Sequence, residues 1–189
     1  MQNALSLYMG SEAAKTIGEQ GWQAAPFSTL IGASGGPKWL ILSELDKVLG
    51  QALLLKRGEP MTLLGSSIGT WRHACLSIND PGAAISRLQR AYLYQEYSCA
   101  RPSPIEVSEV AEQMLREALG PEGARQIAAH PTLHNAIITA RAKGVARGES
   151  GWKLGVGMAT ATLGNAVSRK ALGLLFDRVA FCHSELSSM

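Results

Sequence analysis

The stretch of this chain best suited to covalent chemistry is Gly65-Ser66-Ser67-Ile68-Gly69, a Gly-x-Ser-x-Gly motif. A serine hydroxyl attacks a carbonyl only if it is held in the open, served by a base and faced by donors for the developing oxyanion. The motif speaks to the first need. The apolar run Met61-Thr62-Leu63-Leu64 reads as a strand and a helical pattern starts at Thr70-Trp71, so Ser67 falls at the apex of a strand–turn–helix. The helix N-terminus behind it favours negative charge. Gly65 and Gly69 allow a sharp turn and a close approach of helix to sheet. By itself the motif fits a tight structural turn equally well.

The segment Gly32-Ala33-Ser34-Gly35-Gly36-Pro37-Lys38 addresses the oxyanion. Phe27 to Ile31 reads as a buried strand before it, and Lys38 to Leu49 as a helix after it. The amides of Gly35 and Gly36, with that of Ile68 just after the serine, are the candidate donors; losing one such donor raises an acyl-transfer barrier by about 3–4 kcal/mol. Pro37 has no N–H to offer. A phosphate cradle is the rival reading, but Gly-x-x-x-x-Gly-Lys-Ser/Thr is absent and Lys38 stands between Pro37 and Trp39.

Together, Gly35-Gly36-Pro37-Lys38-Trp39-Leu40 and Gly65-Ser66-Ser67-Ile68-Gly69-Thr70-Trp71-Arg72 resemble the patatin-like phospholipases, in wording close to one bacterial branch. The resemblance spans residues 27 to 73, and Leu133 to Ala142 fits a later core strand. It implies a three-layer α/β sandwich and a serine acyl hydrolase acting on lipid esters. Ser67 would be the nucleophile and Gly35 and Gly36 part of the oxyanion loop. It implies no metal and no cofactor, a lipid or acyl-ester substrate, and peripheral contact with a membrane. The family loop opens with Asp-Gly-Gly-Gly and closes with a glycine, whereas Ala33-Ser34 and Trp39 stand here.

The family also pairs its serine with an aspartate in a downstream Asp-Gly-Gly or Asp-Gly-Ala motif, and this sequence has none. Its aspartates are Asp46, on a helix and expected to face solvent; Asp80, a turn or helix cap; and Asp177, ahead of a strand over Arg178 to His183. The expectation is one domain over 1–189, incomplete at its carboxyl end and inactive as it stands. A degenerate, non-catalytic domain that binds lipid is the second reading. A third is a Ser-His-Asp esterase using Asp177 and His183, whose chain order fits but whose spacing is short for two loops.

Composition narrows the classes. The 189 residues are 46% apolar, enough for a real core, and the net charge of +3 is scattered, which argues against nucleic acid as a partner. Three cysteines, Cys75, Cys99 and Cys182, show neither metal spacing nor a disulfide framework and suit a reducing, cytoplasmic setting. No basic, then apolar, leader opens the chain and no uninterrupted apolar run would span a bilayer.

The remaining elements follow from pattern. Ala4 to Met9 reads as a first strand, and Ser11 as the cap of a helix to Gln20. Helices are expected over Thr70 to Ser77, Pro81 to Ser98, Ser108 to Leu119 and Glu122 to Ala129, with Arg101 to Pro104 a linker. Of Tyr92, Tyr94 and Tyr97, two are expected to pack between helices, with an acyl-chain channel as the other use. His73 reads as a helix-face residue turned from Ser67, and His130 and His134 as structural histidines. Leu133 to Ala140 is a strand covered on both faces, 141–151 a loop and Val156 to Phe176 helical. Alternating strands and helices give an α/β fold on a mainly parallel sheet.

Overall fold

A computed structural model of the chain describes residues 6–23, 25–55, 57–144 and 172–186. It is an α/β fold on a four-stranded open sheet, ordered β1 (Thr29–Gly32), β2 (Met61–Gly65), β3 (Leu133–Ala142) and β4 (Phe176–Cys182). The first three strands run parallel and β4 returns antiparallel to β3. Register sets Gly32 beside Gly65 and Gly65 beside Ile137, so both glycine-bearing strand ends finish at one level.

Alternation decides the faces. Met61 and Leu63 of β2 pack with Leu133 of β3, Leu54 and Leu76 in one apolar cluster, and Leu30 of β1 joins it. On this face lie α3 (Ile68–Leu76), which touches β1, β2 and β3, and α6 (Gly123–Ala128), which touches β3. The helices α4 (Pro81–Leu93) and α5 (Pro104–Leu119) pack on α3, and α2 (Ser43–Leu49) packs on α4. A second cluster, in which Trp39, Ile68, Cys75, Ile85, Leu88 and Ala118 are buried, joins α3, α4, α5 and the segment before α2.

Helix starts follow local chemistry. Asp80 caps α4 by accepting the Ala83 N–H at 2.9 Å, with Pro81 at the first position, where a missing N–H costs nothing. Ser103 does the same for α5 through the Glu106 N–H at 3.1 Å. That cap moves the start of α5 to Pro104, inside the expected linker. At the first helix, α1 (Ser11–Gln20), Gly10 holds the cap position instead of Ser11, and no side chain caps it.

Several expectations need correction. The strand before the glycine loop begins at Thr29 and is not buried: β1 is a sheet edge and Ile31 is 72% exposed. Leu7, Tyr8 and Met9 form no strand and are exposed, and residues 1–5 lie outside the described part. The helix expected from Lys38 is a tight 3₁₀ segment over Gly36–Leu42, then α2, then a wider π turn over Gly50–Leu54. The helix from Pro81 ends at Leu93. Tyr92 alone of the three tyrosines packs inward, edge-on to Trp39 at 5.9 Å, while Tyr94 and Tyr97 are exposed. In β3, Leu133 to Ala136 are buried in succession, as expected of a strand covered on both sides; Thr139 to Arg141 are exposed. Lys143 and Gly144 end the described part of the expected loop, and α7 (Leu172–Leu175) is the described part of the late helix; the rest of both lies outside the described residues.

Candidate active site

Ser67 stands between β2 and α3, with φ 53° and ψ −134°, the one non-glycine residue at positive φ among the described residues. Such backbone costs of order 1–3 kcal/mol in a residue with a Cβ and persists only where the surroundings dictate it. Here two contacts do so. A Cβ on Gly65 would come within 2.8 Å of the Thr70 backbone, and one on Gly69 within 2.2 Å of the Gly32 carbonyl oxygen. The chain must therefore bend sharply between β2 and α3, and the serine at the bend is exposed.

The glycine loop is seated on this bend. The Ser34 hydroxyl donates to the Ser66 carbonyl at 3.2 Å, and the Gly32 backbone meets Gly69 so closely that neither position admits a side chain. Gly36 takes φ 51°, and the chain then enters its 3₁₀ segment with Pro37 in the first turn. Gly36 and Ile68 each open a helical segment, where N–H groups have no partner within the segment. Trp39 is buried in one cluster with Ile68 and so anchors this loop in the core.

A buried ion pair fixes the same unit from behind. Arg72 of α3 donates through Nε and Nη2 to the two carboxylate oxygens of Asp46 on α2, both at 2.6 Å. Asp46 is 1% exposed, which overturns its expected solvent-facing position. The sequence placed Asp46 on a helix without supplying the arginine 26 residues away that makes burial tolerable. Ser43 and Gly50, on the same side of the α2 region, are buried with it, while Val48 is exposed.

The histidines and the other aspartates stand elsewhere. His73 is buried, where a Cβ on Gly32 would meet its ring. Burial, aided by the neighbouring Arg72 charge, lowers its pKa to about 4 against the pull of a hydrogen bond with the Leu63 backbone. His134 and His183 stack in parallel with ring centroids 4.3 Å apart. His130 accepts from the Thr132 and Leu133 N–H groups, and burial first, then its two histidine neighbours, lower its pKa. These three sit by the amino end of β3, the sheet end opposite to Ser67.

Asp80 is committed to its cap. Asp177 pairs with Lys143 at 2.8 Å, and that hydrogen bond holds its carboxyl below the usual range against an opposing desolvation; the Lys143 and Arg141 charges add to the effect. The register sets Asp177 opposite Arg141 and starts His183 beyond the other end of β4, about 20 Å away at ~3.3 Å per residue. Asp177 and His183 cannot share a serine, and the Ser-His-Asp reading fails on that separation.

Sequence reasoning missed Gly32 as a packing glycine, the Ser34 tie and the Asp46–Arg72 pair. The first had a signal: Gly32 ends a strand level with a second strand-ending glycine. Cys75 is buried, which pushes its thiol up to about 12 and leaves it inert, while Cys99 and Cys182 are exposed. Among the described residues no cluster of histidine, cysteine and carboxylate side chains suits a metal, and no helix is long and apolar enough to cross a membrane. No protein-family model, curated protein or solved structure matches the chain.

Proposed function

We propose that this protein is a serine acyl hydrolase of lipid esters, built on a patatin-like three-layer arrangement, with Ser67 as nucleophile. The observation that carries the reading is the exposed, left-handed Ser67 held between β2 and α3 with the glycine loop tied against the same turn. Ser67 Oγ attacks the ester carbonyl carbon while a base takes its proton. The carbonyl oxygen, now negative, receives hydrogen bonds from the Gly35, Gly36 and Ile68 amides. The alcohol leaves with a proton, and water releases the acyl group from the serine. Ile31, Ile41 and Leu42, exposed on either side of the loop, suit a substrate met at a lipid surface.

Asp46, Asp80 and Asp177 are each engaged elsewhere, so none of them serves as the base in this reading. The test is labelling of the protein by a fluorophosphonate. We expect a single adduct at Ser67, lost in Ser67→Ala; a Ser67→Ala protein that labels as well as the parent sinks the assignment. The same engagement of all three aspartates favours a second reading, a non-catalytic domain that binds lipid. Absence of label would favour it.

A further inference from the structure

The candidate oxyanion donors sit on two separate segments, and the direction of each is set within its own segment. The Gly35 carbonyl accepts the Lys38 N–H at 3.3 Å, so it points along the 3₁₀ segment. Across a trans peptide the Gly36 N–H points the opposite way, out of the segment's start. The Ser67 carbonyl accepts the Thr70 N–H at 3.0 Å, which in the same manner turns the Ile68 N–H out of the start of α3. Neither arrangement fixes the spacing between the two donors. That spacing depends on what joins the loop to the elbow.

The loop has few means of joining. Gly32 is locked against Gly69 at one end and Trp39 is buried at the other. Between them Ala33 offers a methyl group, Gly35 and Gly36 offer no side chain, and Pro37 offers no N–H. Among the described residues, the Ser34 hydroxyl makes the one side-chain hydrogen bond from this span to the elbow, at 3.2 Å to the Ser66 carbonyl oxygen. The same oxygen accepts the Gly69 N–H at 3.1 Å, so its two lone pairs are taken by the loop and by the start of α3. The peptide held in this way leads directly into Ser67.

We propose that Ser34 is a positioning residue of the hydrolase site: through the Ser66 carbonyl, its hydroxyl sets the Gly35 and Gly36 amides against the Ser67 elbow. It touches neither the substrate nor the reacting atoms. This role rests on the serine-hydrolase reading, and the experiment separates the failure of one from the failure of the other.

The parent is compared with Ser34→Ala, which removes the hydroxyl, and with Ser34→Thr, which keeps it. Labelling over a range of fluorophosphonate concentrations gives the maximal rate of adduct formation at Ser67 and the half-saturating concentration. Nitrogen-15 relaxation gives the order parameters of the Gly35 and Gly36 amides. In Ser34→Ala the maximal rate should fall about fivefold, as expected for a hydrogen bond contributing about 1 kcal/mol, with the half-saturating concentration unchanged. The two order parameters should drop from about 0.85 to below about 0.6. Ser34→Thr should return both to parental values. Because Ser34 is exposed, the melting temperature should stay near that of the parent, which separates lost position from lost structure. An unchanged maximal rate at a labelled Ser67, or unchanged order parameters, overturns the proposal. So does a Ser34→Thr protein as slow as Ser34→Ala. A parent that takes no label removes the hydrolase reading instead, and the order parameters then decide alone whether Ser34 holds the loop.

Discussion

The β1–β2–α3 half of the molecule and the β3–β4 half are held by opposite means. In the first, backbones touch where only glycine fits, one serine is held in a costly conformation, and a carboxylate and guanidinium are buried face to face. In the second, an antiparallel pair joins two strands whose outer residues are exposed, and its aspartate pairs with Lys143 and Arg141 at the surface. Position is enforced around Ser67 by contacts that cannot relax, and around Asp177 by contacts that water can replace. Equal chemical changes in the two halves should therefore have unequal effects.

Gly69→Ala should have the largest effect. Its Cβ would lie 2.2 Å from the Gly32 carbonyl oxygen, and backbone on both sides leaves no side chain to swing away. We expect a loss of about 4 kcal/mol or more, visible as a collapsed denaturation midpoint, at the exceptional end for one substitution. A Gly69→Ala protein as stable as the parent would mean that loop and elbow are not in contact. Asp46→Asn should follow. It leaves Arg72 largely buried without its counter-charge, and breaking such a pair costs about 3–5 kcal/mol. The matched change Asp177→Asn, at an exposed pair, should leave the midpoint unmoved in moderate salt. Equal effects at the two aspartates would erase the contrast.

The same contrast explains what the sequence could disclose. The elbow was legible because its constraints lie within five residues: a strand, two glycines and a helix start each leave a mark on composition. Asp46 was misread because its burial depends on Arg72, 26 residues on, and helical periodicity alone turns a carboxylate outward. Phe27 to Ile31 has the apolar content of an inner strand, yet edge position is a property of sheet order, which no local window contains. Asn135 sits in an apolar strand where only the hydroxyl of Ser77, from a distant helix end, shows which way its amide points.

A pH titration separates the halves next. His73 is neutral when folded, its pKa lowered to about 4, while the unfolded chain binds a proton near 6.5. The unfolded state then holds more protons between these values, so stability is full above about pH 6.5 and falls as pH drops toward 4. The shift corresponds to about 3 kcal/mol at most by linkage. His73→Gln should flatten the denaturation midpoint across that window, whatever it does to stability at neutral pH. If the slope survives, the acid sensitivity belongs to His130 beside β3, whose pKa is also lowered by burial, and not to the elbow half.

The smallest effect is the most informative, because its sign is unusual. Ser67→Gly removes a Cβ from a backbone at φ 53° and ψ −134° that glycine adopts freely. The relief of about 1–3 kcal/mol exceeds the roughly 0.5–1 kcal/mol that a glycine loses in extra unfolded-state entropy. The net is a gain of about 1 kcal/mol, or a melting temperature higher by about 2–4 °C for a chain of this size. Ser67→Ala keeps the Cβ and the strain, so it should melt with the parent. Both variants should lose the fluorophosphonate adduct, and only one should gain stability. A Ser67→Gly protein that melts with or below the parent would show that the turn holds no strain, leaving Ser67 an ordinary surface residue on a sharp bend.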